Sequence, residues 1–195
     1  MGLCIGIKDN GNVYIGVNSH LYDNKATAYN KNNYKVWNVL NANNAIMACQ
    51  GELRDSNIIR IIPDFISDYD VYKNRINYRF VLRNIAFRIK ESLDKRLYTN
   101  YNNKIFKDLN SSYLFAYKDS LYEIDRDLSV SEIDDYVCKG SAASEAIGSL
   151  EATIGESPIV RIEKALRAAS RTDTSINFPY IILDTRSQNF YIIEE

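Results

Sequence analysis

The sequence predicts an α+β chain: a four-layer αββα sandwich, two antiparallel sheets stacked face to face with a helix pair on each outer side. Three observations lead there. Groups of strands alternate with pairs of helices. Short turns join consecutive strands, as antiparallel hairpins require. And the elements carry apolar faces that this one stacking covers all at once.

The first seven residues, Met1 to Ile7, run straight into a turn at Lys8-Asp9-Asn10-Gly11-Asn12 and a second strand, Val13-Tyr14-Ile15-Gly16-Val17. This hairpin ends near Asn18-Ser19-His20, and a polar stretch from Leu21 to Asn33 follows. Tyr34 to Leu40 reads as a short strand and Asn41-Ala42-Asn43-Asn44 as a turn by its chemistry. Ala45 to Cys49 is a buried strand closed by Gln50-Gly51.

The period then changes. Leu53, Ile58, Ile61, Ile62, Phe65 and Ile66 mark a helix from Glu52 to about Ser67, kinked or broken by Pro63. Leu82, Ile85, Ala86, Ile89, Leu93 and Leu97 repeat at i, i+3, i+4 and make an amphipathic helix. A polar connection from Tyr98 to Asn110 leads to a second hairpin, Ser112 to Tyr117 and Leu121 to Asp125, turned by Lys118-Asp119-Ser120. A strand from Tyr136 to Lys139 ends at Gly140-Ser141. Ala143, Ala146, Ile147 and Leu150 define the next helix. Ser157-Pro158 supplies an N-cap and a first-turn proline for the last one, through Ile162, Ala165, Leu166 and Ala169. Tyr180 to Leu183 and Phe190 to Ile193 are the closing strands.

Composition narrows the function. The 195 residues form one domain spanning 1–195, with 46% hydrophobic and 25% charged residues, ordinary for a soluble globular protein. A net charge of −1, from 24 basic and 25 acidic residues well mixed, lacks the basic face of a nucleic-acid binder. No apolar run is long enough to span a membrane, and Gly6 stands where a myristoylation signal needs Ser or Thr. Cys4, Cys49 and Cys138 form neither a CxxC pair nor an even framework, and His20 is the single histidine, so no metal or other cofactor is expected. An odd cysteine count without a signal sequence points to a reducing cytoplasm.

The candidate chemistry gathers at the amino terminus. A chain that begins inside a strand holds its α-amine against the fold, and such an amine titrates near neutrality and can act as a base beside a nucleophile. Gly2 has no side chain to attack with. Cys4, two residues further in, is a thiol nucleophile or a buried strand cysteine. By themselves Lys35 reads as a solvated strand-edge lysine, Ser141 as a helix N-cap and Asp173 as a loop residue with local hydrogen bonds. His20 reads as a turn residue and Cys49 as core packing.

The element order, with its strand at the extreme amino terminus, resembles the N-terminal-nucleophile hydrolases, and among them the proteasome β-subunit group, particularly the bacterial HslV-type peptidase. The resemblance spans essentially the whole chain. It is carried by the opening hairpin, Tyr34-Lys35-Val36, Ala48-Cys49-Gln50-Gly51-Glu52 before a helix, Leu121-Tyr122-Glu123-Ile124-Asp125, Gly140-Ser141-Ala142-Ala143 before a helix, and Ile162-Glu163-Lys164-Ala165-Leu166 running on to Asp173.

The resemblance implies peptide-bond cleavage by an N-terminal threonine, whose own amine moves the proton while a lysine keeps that amine uncharged. Lys35 falls on the lysine, Ser141 on the serine of the glycine-serine turn, and Asp173 on the aspartate after the last helix. The oxyanion-hole glycine falls within Cys49 to Gly51. Asn18 stands where the family usually has an aspartate that pairs with the lysine. Ser175 is one residue short of the family's last serine. Gly2 stands where the threonine should.

Three functions are therefore open: a threonine-type peptidase by ancestry that lacks its nucleophile, a non-catalytic structural ring subunit, or a Cys4-dependent amide hydrolase after loss of Met1 to Leu3. Met-Gly is also a common cloning remnant, in which case the natural residue is Thr or Ser. The implied partners are copies of the chain in rings, an ATP-dependent unfoldase, and peptide or protein substrates, with neither nucleic acid nor membrane. The 15 tyrosines and 7 phenylalanines serve either cores or such interfaces.

Overall fold

The computed structural model describes residues 2–19, 21–23, 26–28, 34–62, 65–73, 76–97 and 108–194. The opening hairpin is β1 (Leu3–Asp9) and β2 (Asn12–Asn18), turned by Asn10 and Gly11 at left-handed φ of 47° and 73°, as a two-residue hairpin needs. Then come β3 (Leu21–Asp23), β4 (Ala26–Ala28), β5 (Val36–Asn38) and β6 (Ala45–Gln50). The helical stretch is α1 (Leu53–Ile59), α2 (Asp68–Tyr72), α3 (Tyr78–Phe80), a π-helical turn (Val81–Ile85) and α4 (Ala86–Leu97). The second half is β7 (Ser112–Tyr117), β8 (Ser120–Ile124), β9 (Val130–Ile133), β10 (Tyr136–Gly140), α5 (Ala143–Ala152), α6 (Pro158–Ser170), β11 (Tyr180–Asp184) and β12 (Phe190–Ile193).

One sheet runs β10-β1-β2-β11-β12 and the other β5-β6-β7-β8-β9, with every pairing antiparallel. Alternation along the strands sorts the core into three layers of contact. Leu3, Ile5 and Ile7 of β1 with Tyr180 and Ile182 of β11 pack on Ala146, Leu150, Ile162 and Leu166 of α5 and α6. Met47 and Cys49 of β6 with Tyr113 and Phe115 of β7 pack on Ile59, Ile85 and Ile89 of the other helical layer. The intervening residues, Cys4, Ile15, Val17, Ile46, Ala48, Leu114, Ile181 and Leu183, close the space between the sheets. The predicted four layers are therefore present. Their spacing is tight: a Cβ on Gly16 would come within 2.2 Å of Ile162 Cγ2, and one on Gly6 within 2.9 Å of Leu121.

Several elements depart from the sequence reading. The polar stretch after β2 contains the short pair β3–β4. The expected helix over 52–67 ends at Ile59, four residues ahead of Pro63, which has no N–H to offer the Ile59 carbonyl, and α2 starts afresh from a capping box of Ser67 and Asp70. Phe65 and Ile66 are buried outside any helix. The strand β9 went unread because exposed Ser131 and Glu132 follow one another and break its alternation. Ala142, at φ 55°, occupies the N-cap of α5, so Ser141 does not cap it. Ser157 does sit at the N-cap of α6 with Pro158 following, but its side chain makes no cap bond. His20 lies outside the described residues.

Candidate active site

Gly2 immediately precedes β1, whose neighbours β2 and β10 end on either side of it. It is buried, and its surroundings are fitted to a residue without a side chain. On one side Asn18, 2% exposed, accepts the Leu3 N–H at 2.9 Å through Oδ1 and donates Nδ2 to the Ser175 carbonyl at 3.1 Å. A Cβ on Gly2 would stand 2.8 Å from that Oδ1. On the other side Gly140, at φ 133°, brings its backbone so close that a Cβ there would be 2.0 Å from the Gly2 carbonyl oxygen. Gln50 Nε2 approaches the same oxygen at 3.5 Å, and Ser112 Oγ donates to Gln50 Oε1 at 3.4 Å.

Asn18 is the centre of a chain of bonds that an aspartate could not complete. Asp173 accepts the Ser175 N–H at 2.8 Å, the Ser175 carbonyl accepts from Asn18, and Asn18 accepts from Leu3. An ionised carboxylate has no donor for the Ser175 carbonyl. The amide thus ties the loop after α6 to the head of β1.

Lys35 points elsewhere. Its Nζ donates to the Gly51 carbonyl at 2.9 Å, while its own carbonyl accepts the Cys49 N–H at 2.8 Å, so one residue grips the end of β6 twice. No hydrogen bond joins Lys35 to Asn18 among the described residues. Gly51, at φ 146°, is the residue of the 49–51 segment that requires glycine: a Cβ would meet Ser111 Oγ at 2.3 Å. Ser111 Oγ accepts the Glu52 N–H at 2.9 Å and donates to Asp55 Oδ2 at 2.8 Å, which fixes the turn into α1. Burial pushes the Asp55 carboxyl up from its ordinary range. Ser111, Asp55, Gln50 and Gly140 were not singled out from sequence. The Gln50-Gly51-Glu52 junction and the glycine ahead of α5 were the available signals.

The Ser141 hydroxyl holds the Asp173 carboxyl below the usual carboxylate range, with the Ser175 contacts adding to it against a smaller opposing effect of burial. Even so, Ser141 Oγ is buried and reaches full hydrogen-bond geometry with no described group. An open cleft of about 450 Å³ runs from Gln50 and Ser112 to Lys139, Gly140 and Ser141. Lys139 is ion-paired to Glu123 and, at 3.0 Å, to Asp125.

Cys4 is 2% exposed and faces the space between the sheets. Burial, with Cys49 nearby, raises its thiol far above the ordinary value, and Lys35 opposes this only weakly. Burial likewise pushes Cys49 and Cys138 to about 12. Among the described residues no group of three His, Cys, Asp or Glu side chains converges as a metal site, and no helix is long and apolar enough to cross a membrane.

The architecture around this site recurs in solved structures. BPH from Thiobacillus denitrificans in complex with epoxomicin superposes with a TM-score of 0.68 at 13% identity, over 99% of this chain and 100% of that one. BPH from the same organism, in a second structure, gives 0.65 at 10% identity over 98% of each chain. Eukaryotic HslV from Trypanosoma brucei gives 0.62 at 15% identity over 93% of this chain and 98% of its own. This chain has the proteasome β/HslV-type fold. No family model and no curated protein sequence matches it. The expected four-layer architecture of two antiparallel sheets and flanking helices is therefore met.

Proposed function

We propose that this chain is a non-catalytic subunit of proteasome/HslV type, a threonine peptidase by ancestry whose nucleophile position is Gly2. One observation carries the reading: the space a side chain at residue 2 would need holds Asn18 Oδ1, 2.8 Å from the missing Cβ, and that atom is committed to the Leu3 N–H. Lys35 bonded to Gly51 rather than turned toward an acid at position 18 supports it too, as does a Cys4 thiol too buried and too weakly acidic to attack. Ser141 and Asp173 are then remnants of a proton network, and Gly51 the remnant of an oxyanion turn.

The chain's role is to build a ring with copies of itself in the cytoplasm, with an ATP-dependent unfoldase and peptide or protein substrates as further partners and without a cofactor. Exposed Ile61 just after α1, Tyr69 of α2 and Phe87 of α4 offer apolar surface for such packing. The test combines three measurements on the full chain: N-terminal sequencing, hydrolysis of fluorogenic peptides, and mass by light scattering. A start at Met1 or Gly2, no hydrolysis and a multimeric mass are expected. A start at Cys4 with hydrolysis would replace this reading by the cysteine hydrolase. A monomer would remove the ring.

A further inference from the structure

We propose that the cleft at the N-terminus of α6 binds a phosphoryl group of a small ligand, held by the Arg161 guanidinium and the Lys8 ammonium beside the uncapped first turn of α6. The cleft has a volume of about 520 Å³ and lies between the β1–β2 turn and the α5–α6 connection, away from Gly2. Its distinguishing group is Arg161, which lines it while only 9% exposed. Nη2 donates to the Leu150 carbonyl at 3.1 Å, whereas Nε is buried with no partner, and no described carboxylate forms an ion pair with the guanidinium. A buried guanidinium without a counter-anion is costly, and an anion delivered from outside relieves that cost.

The backbone adds to it. Ser157 leaves α6 uncapped by any side chain, and Pro158 has no N–H. Ile159 and Val160 therefore offer the first N–H groups of a 13-residue helix. A helix N-terminus favours the several acceptor oxygens of a phosphoryl group, and an arginine fork matches two of them. Lys8 contributes a further cation from β1.

Three carboxylates share the cleft. Asp9 accepts from Asn10 Nδ2 at 3.1 and 3.2 Å, and Glu156 is paired with Lys164 at 2.6 Å. Asp135 is exposed and is the internal competitor for Arg161.

The test titrates the ¹⁵N-labelled full chain with inorganic phosphate at constant ionic strength, with acetate and chloride as parallel arms. Saturable shifts of the Ile159 and Val160 amides in phosphate, and weaker ones in acetate and chloride, are expected. Arg161→Lys should weaken phosphate about tenfold through loss of the fork. Lys8→Ala should weaken it about two- to fivefold without lowering the urea midpoint, which keeps the test valid if the Arg161 variant does not fold. Asp135→Asn should tighten it. The proposal is overturned by absence of saturation, by equal responses to acetate and phosphate, or by unchanged affinity in Lys8→Ala. It is also overturned if Asp135→Asn destabilises the chain without tightening phosphate, since Asp135 is then the counter-ion. None of these outcomes depends on whether the chain is catalytic.

Discussion

Gly2→Thr adds the side chain whose absence the proposed function rests on, and the structure sets what it should cost. The new Cβ would lie 2.8 Å from Asn18 Oδ1, so the amide must rotate away. That strips the Leu3 N–H of its acceptor at 2.9 Å and the Ser175 carbonyl of its donor at 3.1 Å, both beside a residue only 2% exposed. An orphaned buried N–H costs about 1–3 kcal/mol, and extra atoms in a closed slot about 1–3 kcal/mol. Removing glycine from the unfolded chain returns about 0.4–1 kcal/mol. A net loss of about 3 kcal/mol follows, which for a chain of this length lowers Tm by about 6–12 °C. Urea midpoints and calorimetry on the wild type, Gly2→Thr and Gly2→Ala measure it, since alanine fills the slot without a hydroxyl. Both variants should be destabilised, and the threonine variant should leave fluorogenic peptides uncut. A Gly2→Thr protein with the wild-type midpoint and measurable hydrolysis would refute the reasoning.

Three further outcomes are expected. Gly140→Ala forces a Cβ to within 2.0 Å of the Gly2 carbonyl oxygen at a φ of 133°, so its urea midpoint should fall by the equivalent of about 2–3 kcal/mol. Burial raises the Asp184 carboxyl, but Ser187, Asn12 and the Arg186 N–H outweigh it and hold the folded value below the ordinary one. Its contribution is therefore complete above about pH 4 and lost as pH falls below that; Asp184→Asn should flatten this part of the acid limb in pH-dependent denaturation, and an unchanged limb would assign acid sensitivity elsewhere. The thiols of Cys4, Cys49 and Cys138 are all buried, at 2%, 0% and 9% exposure, so iodoacetamide at neutral pH should label none in the native chain and all three in urea. Rapid native labelling of Cys4 alone would revive the cysteine-hydrolase reading.

The layers were legible because alternation in the strands and i, i+3, i+4 spacing in α4 record which faces are covered. Turns were legible where chemistry demanded them, as at Asn10-Gly11. What escaped were elements whose residues answer to tertiary contacts. Four-residue β9 exposes two polar side chains in succession, and the π-helical turn ahead of α4 leaves no mark in the apolar spacing. Around Gly2 the identities of Asn18, Lys35, Ser141 and Asp173 could be read, but their bonding could not. That Asn18 serves Leu3 and Ser175, or that Lys35 closes on Gly51, depends on side-chain directions that no local pattern encodes. Gly140 was visible only as a glycine before a helix; its contact with Gly2 spans most of the chain.

The proposal is that this chain, with its proteasome β/HslV-type fold, has no attacking group at residue 2. Intact-mass spectrometry after prolonged incubation with a peptide epoxyketone tests it most directly. The account predicts the unmodified mass of a chain beginning at Met1 or Gly2. A stoichiometric gain of one inhibitor, mapped by fragmentation to residues 2–4, would contradict it.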